Sequence, residues 1–258
     1  MQISSKYDLT VIIPTYNEEN NIEEMIRAID SVCKANEINE EILVVDDNSG
    51  DNTQQIVNEL KNSLSHLNIM VRYENHGLSQ SLYDGIIRAG SDLVQCIDCD
   101  FSHPPDKIPV FYDYLKNKRY DMIIGSRYIP GGEVQNWAMS RRILSAGAAL
   151  LGRVLIPHIR DSGSGFFAIR REIIEEVQLK PRGFRMGFEI LGKGRWETAT
   201  EIPITFKDRE AGQSKMHLGI ITEYLKQWGS IFYYNAVSPR SDNIKKSWKI
   251  FFHQVFSQ

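Results

Sequence analysis

The first half of the chain alternates short apolar, β-branched runs with segments in which apolar residues recur at helical spacing. Five such runs are predicted as strands: LTVIIP (9–14), EEILVVDD (40–47), NIMVRYE (68–74), DLVQCID (92–98) and YDMIIGSRY (120–128). This alternation is typical of a mostly parallel sheet with helices on both faces. The sequence therefore predicts an α/β fold of Rossmann-like type over this region.

Composition excludes several classes of protein. The chain has 258 residues and a net charge of −3, so it lacks the overall basic field of a nucleic-acid-binding protein. No uninterrupted apolar stretch reaches the roughly 18 residues of a membrane span, because the best candidate, residues 143–159, is cut by Arg153. Three cysteines do not form a disulfide framework, and the N-terminus lacks the pattern of a signal peptide. We therefore expect a cytoplasmic protein without membrane spans.

Acidic residues follow several of the predicted strands. The strands end in PTYNE, VVDDNS, IDCDFSHPP and GSRY, and three of these four segments contain carboxylates. In open α/β sheets, ligands bind beyond the carboxyl ends of the strands. A rim of carboxylates at that edge favours a metal, sugar hydroxyls or a nucleotide as the ligand.

The segment QCIDCDFSHPP contains both a C-x-x-C and a D-x-D pattern. A zinc site needs four ligands and a second such pair, and the remaining cysteine, Cys33, lies on a predicted helix. A redox pair would place its first thiol at a helix N-terminus, whereas Cys96 lies within an apolar strand. We therefore interpret Cys96 and Cys99 as buried packing residues.

The two aspartates of the same segment suit a metal better. Residues i and i+2 of an extended chain point the same way, so Asp98 and Asp100 converge at the end of the fourth strand. Two converging carboxylates repel each other unless a cation lies between them, and Mg²⁺ or Mn²⁺ takes such ligands together with phosphate oxygens. The alternative is that the pair only caps the following turn.

Six motifs occur in an order and spacing that resemble a known family: VIIPTYNEENNI, VVDDNSGDNT, GLSQSLYDGIIRAG, IDCDFSHPPDKIP, GSRY and FKDREAGQSKM. Together they resemble the family 2 inverting glycosyltransferases of GT-A fold. More closely, they resemble the dolichol-phosphate mannosyltransferases without transmembrane helices. The resemblance covers about residues 8–230. It implies a catalytic domain over 1–235 and leaves 236–258 as a basic, aromatic tail.

The resemblance assigns roles to individual positions. The nucleotide contacts that it implies are Pro14, Tyr16, Glu18, Val45, Asp47, Asp98 and Cys99. The implied metal ligands are Asp98 and Asp100, binding Mg²⁺ or Mn²⁺. A helix-capping role for Asp47 is the alternative, and the two roles are compatible.

Basic residues complete the implied site. Arg127 and Arg141 match positions for the acceptor phosphate, which suits the paired donors of a guanidinium. Arg209 and Lys215 match a loop that closes over the diphosphate. The implied catalytic residues are thus Asp100, Arg127, Arg209 and Lys215. Phe167 and Gly187 depart from the family pattern, where arginine and glutamine are common, and this leaves the identity of the sugar open.

The implied reaction is transfer of a sugar from a nucleotide sugar to dolichyl or another polyprenyl phosphate, with inversion. GDP-mannose is the favoured donor, and UDP-glucose and UDP-N-acetylglucosamine remain alternatives. A lipid acceptor implies a peripheral protein on the cytoplasmic face of a membrane. The segments RRILSAGAALLGRVLIPHI and LGIITEYLKQWGSIFYYNA are expected to form interfacial amphipathic helices, with core helices as the alternative. The tail is expected to anchor to lipid or to a small membrane-anchor subunit.

Two other functions are compatible with parts of the sequence. A glycosyltransferase with a sugar hydroxyl as acceptor requires a carboxylate base, for which Glu189 or Asp161 are candidates. A regulatory or scaffold subunit of a membrane glycosylation complex requires no catalysis, but the intact motifs disfavour it.

Overall fold

The computed structural model describes residues 5–181, 183–207, 218–238 and 242–256. The strands are β1 (Leu9–Thr15), β2 (Glu40–Asp46), β3 (Leu67–Val71), β4 (Leu93–Cys96), β5 (Met122–Ser126), β6 (Glu133–Gln135), β7 (Phe167–Arg170), β8 (Ala199–Pro203) and β9 (Thr205–Lys207). The helices are α1 (Ile22–Ala35), α2 (Thr53–Leu60), α3 (Leu78–Arg88), α4 (Ile108–Lys116), α5 (Met139–Leu155), α6 (Met186–Lys193), α7 (Leu218–Val237) and α8 (Asn243–Phe256).

The main sheet has seven strands in the order β3-β2-β1-β4-β7-β5-β8, and β6 and β9 form a second, parallel pair. Within the main sheet, β7 is antiparallel to both β4 and β5, and all other pairs are parallel. The five predicted strands and the helices between them are therefore confirmed. The predicted mostly parallel α/β fold is confirmed with them.

The sheet is buried on both faces. Leu9, Val11 and Ile13 of β1 belong to one apolar cluster, whereas Ile12 belongs to the cluster on the opposite face. A parallel sheet covered on both faces requires such continuous apolar runs, which is why LTVIIP reads as an unbroken apolar strand. Helix α3 packs closely on the second face, because a Cβ on Gly85 would lie 2.9 Å from Ile12 Cγ2.

The C-terminal helices add to this core. Asn243, at the start of α8, donates to the carbonyl oxygens of Leu191 and Gly194, at 3.2 and 2.6 Å. The predicted tail, 236–258, thus includes the end of α7 and a helix that packs against the end of α6.

Candidate active site

The loops after β1 and β2 lie side by side at the carboxyl edge of the sheet. Pro14 pairs in register with Val45, and the side chain of Tyr16, directly after β1, is 63% exposed. The backbone N–H of Glu18 donates to Thr53 Oγ1 at 2.9 Å, which joins the first loop to the start of α2. The predicted nucleotide contacts of these two strands therefore occupy one continuous rim with an exposed aromatic ring.

Asp47 is held by several donors of the protein. Its carboxylate accepts hydrogen bonds from the guanidinium of Arg72, from Ser81 Oγ at 2.8 Å and from the N–H of Gly77 at 2.7 Å. Gly77 and Ser81 lie at the start of α3, so the Asp47 carboxylate is bound to the beginning of that helix. Its contact with a nucleotide stays a prediction.

A tight turn fixes the two aspartates after β4. Phe101, the next residue, has φ of 56°, a left-handed conformation that is uncommon for a bulky side chain. The N–H of Ser102 donates to Asp100 Oδ1 at 3.0 Å, and the N–H of Asp98 donates to His103 Nδ1 at 3.2 Å. Strained backbone of this kind persists only where the surroundings determine it, and it is common at functional sites.

The buried side chain of His103 packs against the core, and it holds this turn through its bond to Asp98. Its ring stacks on Phe166 with ring centroids 5.0 Å apart, and burial lowers the pKa of the imidazole. His103 is therefore neutral at neutral pH, and its 3.6 Å approach to Asp98 is not an ion pair there. Because Nδ1 accepts the bond from Asp98, the ring proton lies on Nε2. These contacts give His103 a structural role.

The cysteines have the predicted packing role. Cys33, Cys96 and Cys99 are buried thiols, and burial raises the pKa of the first two. A buried thiol with a raised pKa is a poor nucleophile and a poor metal ligand. Any contribution of Cys99 to nucleotide binding comes from its backbone and its shape.

Arg127, directly after β5, is fixed by Asp161. Its Nε and Nη2 donate to the two carboxylate oxygens at 2.7 Å each. The guanidinium carbon lies 5.2 Å from the ring centroid of Trp137 and 5.4 Å from that of Phe206. Burial opposes the charge, but Asp161 outweighs it and raises the pKa of Arg127.

Arg141 lies against the same indole, with its guanidinium carbon 4.2 Å from the ring centroid of Trp137. The two predicted acceptor-phosphate arginines therefore contact the same aromatic side chain. A cavity of about 410 Å³ adjoins Arg127 and Trp137, and it is lined by Arg127, Tyr128, Gly132, Glu133, Val134, Trp137, Arg142 and Ala146. Phe206 connects this cavity to the aspartate turn, because its ring lies 5.4 Å from the rings of both Trp137 and His103.

Sequence reasoning did not single out Trp137 or Phe206. Aromatic residues in loops or short strands carry no periodic signal, and only their shared contact with arginine marks them. The predicted residues Arg209 and Lys215 lie outside the described residues.

The two carboxylates proposed as bases for a hydroxyl acceptor are both engaged. Asp161 is buried and bound to Arg127. Glu189 is also buried, accepts from Lys193 Nζ at 2.6 Å, and accepts from the N–H of Lys180 at 3.0 Å. Neither carboxylate is placed to take a proton from a substrate.

The two departures from the family pattern are in contact. A Cβ on Gly187 would lie 3.2 Å from the ring of Phe167 and 3.3 Å from the carbonyl oxygen of Ser164. Phe167 thus fills the space that a longer side chain at 187 would need.

Another carboxylate cluster lies elsewhere. His66 Nε2 is 3.0 Å from Asp30 Oδ1 and 3.2 Å from Glu40 Oε1, and burial raises the pKa of Glu40. Their ligand atoms lie within 4.8 Å of one another, close enough to hold a metal ion. Glu40 begins β2, however, so this cluster lies at the amino edge of the sheet, opposite Asp98 and Asp100.

The helices predicted to lie in a membrane interface expose apolar side chains. On α5 these are Met139, Ile143, Leu144, Leu150 and Val154, and on α7 they are Ile221, Leu225, Phe232, Tyr233 and Val237. On α8 they are Trp248, Phe252, Val255 and Phe256. Among the described residues, no helix combines the length and the apolar character required to cross a bilayer.

The fold and the family match together define the class of this protein, a glycosyl transferase of α/β type. Residues 10–178 match the glycosyl transferase family 2 model, and the chain belongs to this family. It is 42% identical over 221 residues to the dolichol-phosphate mannosyltransferase of Pyrococcus furiosus, with 84% of this chain and 62% of that protein covered. The chain therefore spans less than two thirds of that relative. It is 29% identical to the Saccharomyces cerevisiae protein of the same name, with 97% of each covered.

Solved structures share the architecture. A glucosyl-3-phosphoglycerate synthase from Mycobacterium tuberculosis, in complex with Mn²⁺ and UDP, superposes with a TM-score of 0.63 at 19% identity, covering 87% of this chain and 81% of that one. A mannosyltransferase from Pyrobaculum calidifontis, in complex with GDP-Man and Mn²⁺, has a TM-score of 0.57 at 15% identity, covering 98% and 81%. The predicted GT-A fold is thereby confirmed.

Proposed function

We propose that this protein transfers mannose from GDP-mannose to dolichyl or another polyprenyl phosphate. The observation that supports it most is that Arg127 and Arg141 both lie against the ring of Trp137, beside a cavity lined by charged side chains together with aromatic and aliphatic ones. An acceptor with an anionic head and an apolar tail fits such a site. The named relatives are mannosyltransferases of the same lipid class.

Asp98 and Asp100 are the residues suited to Mg²⁺ or Mn²⁺. They supply hard carboxylate oxygens two residues apart, and Asp98 is about a quarter exposed. Gly165 leaves room at this carboxylate, because a Cβ there would lie 3.7 and 3.8 Å from the two Asp98 oxygens. When bound there, the ion would offset the charge of the donor diphosphate and favour its departure.

The acceptor needs no strong general base. A phosphate monoester has a second pKa of about 6, so its oxygen is already anionic at neutral pH. Arg127 and Arg141 hold this anion and reduce its repulsion from the donor. The phosphate oxygen forms a bond to the anomeric carbon while the bond to the diphosphate oxygen breaks, so the configuration inverts. Arg209 and Lys215 belong to the same proposal as residues that close over the diphosphate.

The exposed apolar faces of α5, α7 and α8 extend the proposal to a membrane surface. Trp and Tyr side chains prefer the interfacial depth of a bilayer. A peripheral position on the cytoplasmic face, with a small membrane-anchor subunit as a further partner, is consistent with these faces and with the acceptor.

The test offers the purified protein labelled GDP-mannose, UDP-glucose and UDP-N-acetylglucosamine separately. Each reaction contains Mn²⁺ or Mg²⁺ and a short polyprenyl phosphate in detergent, and the label entering the organic phase is counted. We expect transfer from GDP-mannose alone, abolished by EDTA, with the product anomer inverted. Transfer only to a soluble sugar hydroxyl, or a product anomer retained from the donor, would show that the proposal is wrong.

A further inference from the structure

A third arginine, absent from the sequence-based site, reaches the same region. Arg185 precedes α6, and its guanidinium carbon lies 4.4 Å from the ring centroid of Tyr224 on α7. Tyr224 is itself neutral, because burial raises its pKa to about 12, and its hydroxyl donates to the carbonyl oxygen of Ala148. The aromatic ring therefore positions Arg185 without neutralising it.

Within the described residues, no carboxylate forms an ion pair with Arg185 and its guanidinium makes no hydrogen bond. Burial lowers its pKa, Tyr224 opposes this, and the charge of Arg127 lowers it further. Asp161 lies near both arginines, but its oxygens are taken by Arg127. Arg185 also precedes a helix N-terminus, where a cation is disfavoured. A half-buried cation without a partner is costly unless an anion binds it.

One short loop connects Arg185 to the other groups of the site. Residues 161–165, DSGSG, begin with Asp161, which binds Arg127. At Gly163 an added Cβ would lie 2.1 Å from Arg185 Nη1, so the guanidinium rests directly on the loop. At Gly165 an added Cβ would lie within 3.8 Å of both Asp98 oxygens. Five consecutive residues thus touch Arg127, Arg185 and Asp98.

We propose that Arg185 binds a substrate phosphate, as a third cation beside Arg127 and Arg141. The inference rests on the proposed function for the identity of the substrates, but the anion site stands on the geometry alone. A guanidinium stacked on an aromatic ring keeps its planar set of donors available for phosphate oxygens. Two substrates carry such a group: the acceptor has a phosphate monoester and the donor has a diphosphate.

The test compares wild type with Arg185→Gln, which removes the charge, and Arg185→Lys, which keeps it without the planar fork. Arg195→Gln is the control, because Arg195 is exposed and paired with Glu176. The KM for polyprenyl phosphate, the KM for GDP-mannose and kcat are measured separately. Loss of a charge-assisted hydrogen bond corresponds to roughly a tenfold to hundredfold weaker interaction. We expect Arg185→Gln to raise one KM by about that factor, Arg185→Lys to raise it less, and the control to match wild type.

The KM that changes identifies the source of the phosphate. If both KM values rise, Arg185 lies between the two substrates. If neither KM nor kcat changes in either Arg185 variant, the proposal is overturned. If Arg185→Gln does not fold, Arg185→Lys decides by the same criteria.

A separate binding measurement tests the anion site even if the proposed function is wrong. If wild type transfers no mannose, calorimetry with inorganic diphosphate and with farnesyl phosphate still tests the anion site. If the Arg185 variants bind each probe as tightly as wild type does, the inference is overturned. Weaker binding of either probe by the variants than by wild type supports it.

Discussion

Arg127 donates to both carboxylate oxygens of Asp161, and its own backbone N–H donates to the same carboxylate at 3.0 Å. Three bonds from one residue fix both the position and the plane of the guanidinium. Within the described residues, Nη1 makes no hydrogen bond, so donors remain for a phosphate. Asp161 is fixed in turn, because its N–H donates to Glu201 at 2.8 Å.

This pair predicts the behaviour of Asp161→Asn. The substitution leaves Arg127 buried without its counter-charge, and breaking a buried pair in this way costs about 3 kcal/mol of unfolding free energy. The guanidinium also loses its fixed plane, so we expect the KM for the lipid acceptor to rise at least tenfold. Urea denaturation and acceptor titration measure the two effects.

Glu176→Gln is the control for that substitution, because its pair with Arg195 is exposed. We expect it to change the unfolding free energy by less than about 0.5 kcal/mol and to leave the acceptor KM unchanged. If Asp161→Asn behaves like this control, the proposed role of the pair is wrong.

Gly165→Ala tests the metal position with little effect on folding. The added methyl group would lie 3.4 Å from His103 Cε1, an ordinary contact, but would cover the oxygens of Asp98. We expect the Mn²⁺ concentration for half-maximal rate to rise several-fold, with the melting temperature nearly unchanged. Gly229→Ala in α7 is the matched control, since a Cβ there meets open space. Equal Mn²⁺ dependence in the two variants would place the metal elsewhere.

A buried histidine predicts loss of stability in acid. Burial lowers the pKa of His158 to about 4 from an ordinary 6.5, and its Nδ1 lies 2.5 Å from Ser247 Oγ on α8. In the unfolded chain, His158 therefore becomes protonated below about pH 6.5, whereas in the folded chain it stays neutral down to about pH 4. The contribution of this group is complete above pH 6.5 and is lost as the pH falls towards 4, by about 3 kcal/mol in total.

His158→Gln removes this titration. Urea denaturation at pH 7.5, 6 and 5 measures the unfolding free energy of both proteins. We expect the free energy of wild type to fall more steeply with decreasing pH than that of the variant. Parallel curves would show that His158 does not contribute to the acid sensitivity.

Most of the parallel half of the fold follows from local pattern. The five buried strands and the helices between them carry periodic signals, and the carboxyl edge follows from strand direction alone. The later strand β7 lies between β4 and β5 in the sheet and runs against both. Its four residues are too few for a periodic signal, so its position depends on tertiary pairing.

The candidate site likewise has a part that the sequence predicts and a part that depends on tertiary contacts. Asp98 and Asp100 are two residues apart, so their convergence is a local property of an extended chain. Arg127 and Asp161 are separated by 34 positions, and no sequence pattern joins them. Nor does any pattern join Arg185 to Gly163. The family resemblance indicated Arg127, whereas the residues that hold it required the three-dimensional contacts.

The exposed apolar face of α5 predicts binding to a membrane surface. Ile143 and Leu150 are 66% and 65% exposed, and burying each side chain in a bilayer interface contributes about 1.5–3 kcal/mol. We expect the double substitution Ile143→Glu and Leu150→Glu to weaken binding to vesicles of neutral and anionic phospholipid at least tenfold in co-sedimentation. Val110→Glu, on an exposed apolar position of α4, is the control and should bind as wild type does. With a short acceptor in detergent, the double variant should retain transfer, because neither residue lines the cavity beside Arg127. Unchanged vesicle binding would remove α5 from the membrane contact and leave α7 and α8 as the faces to test.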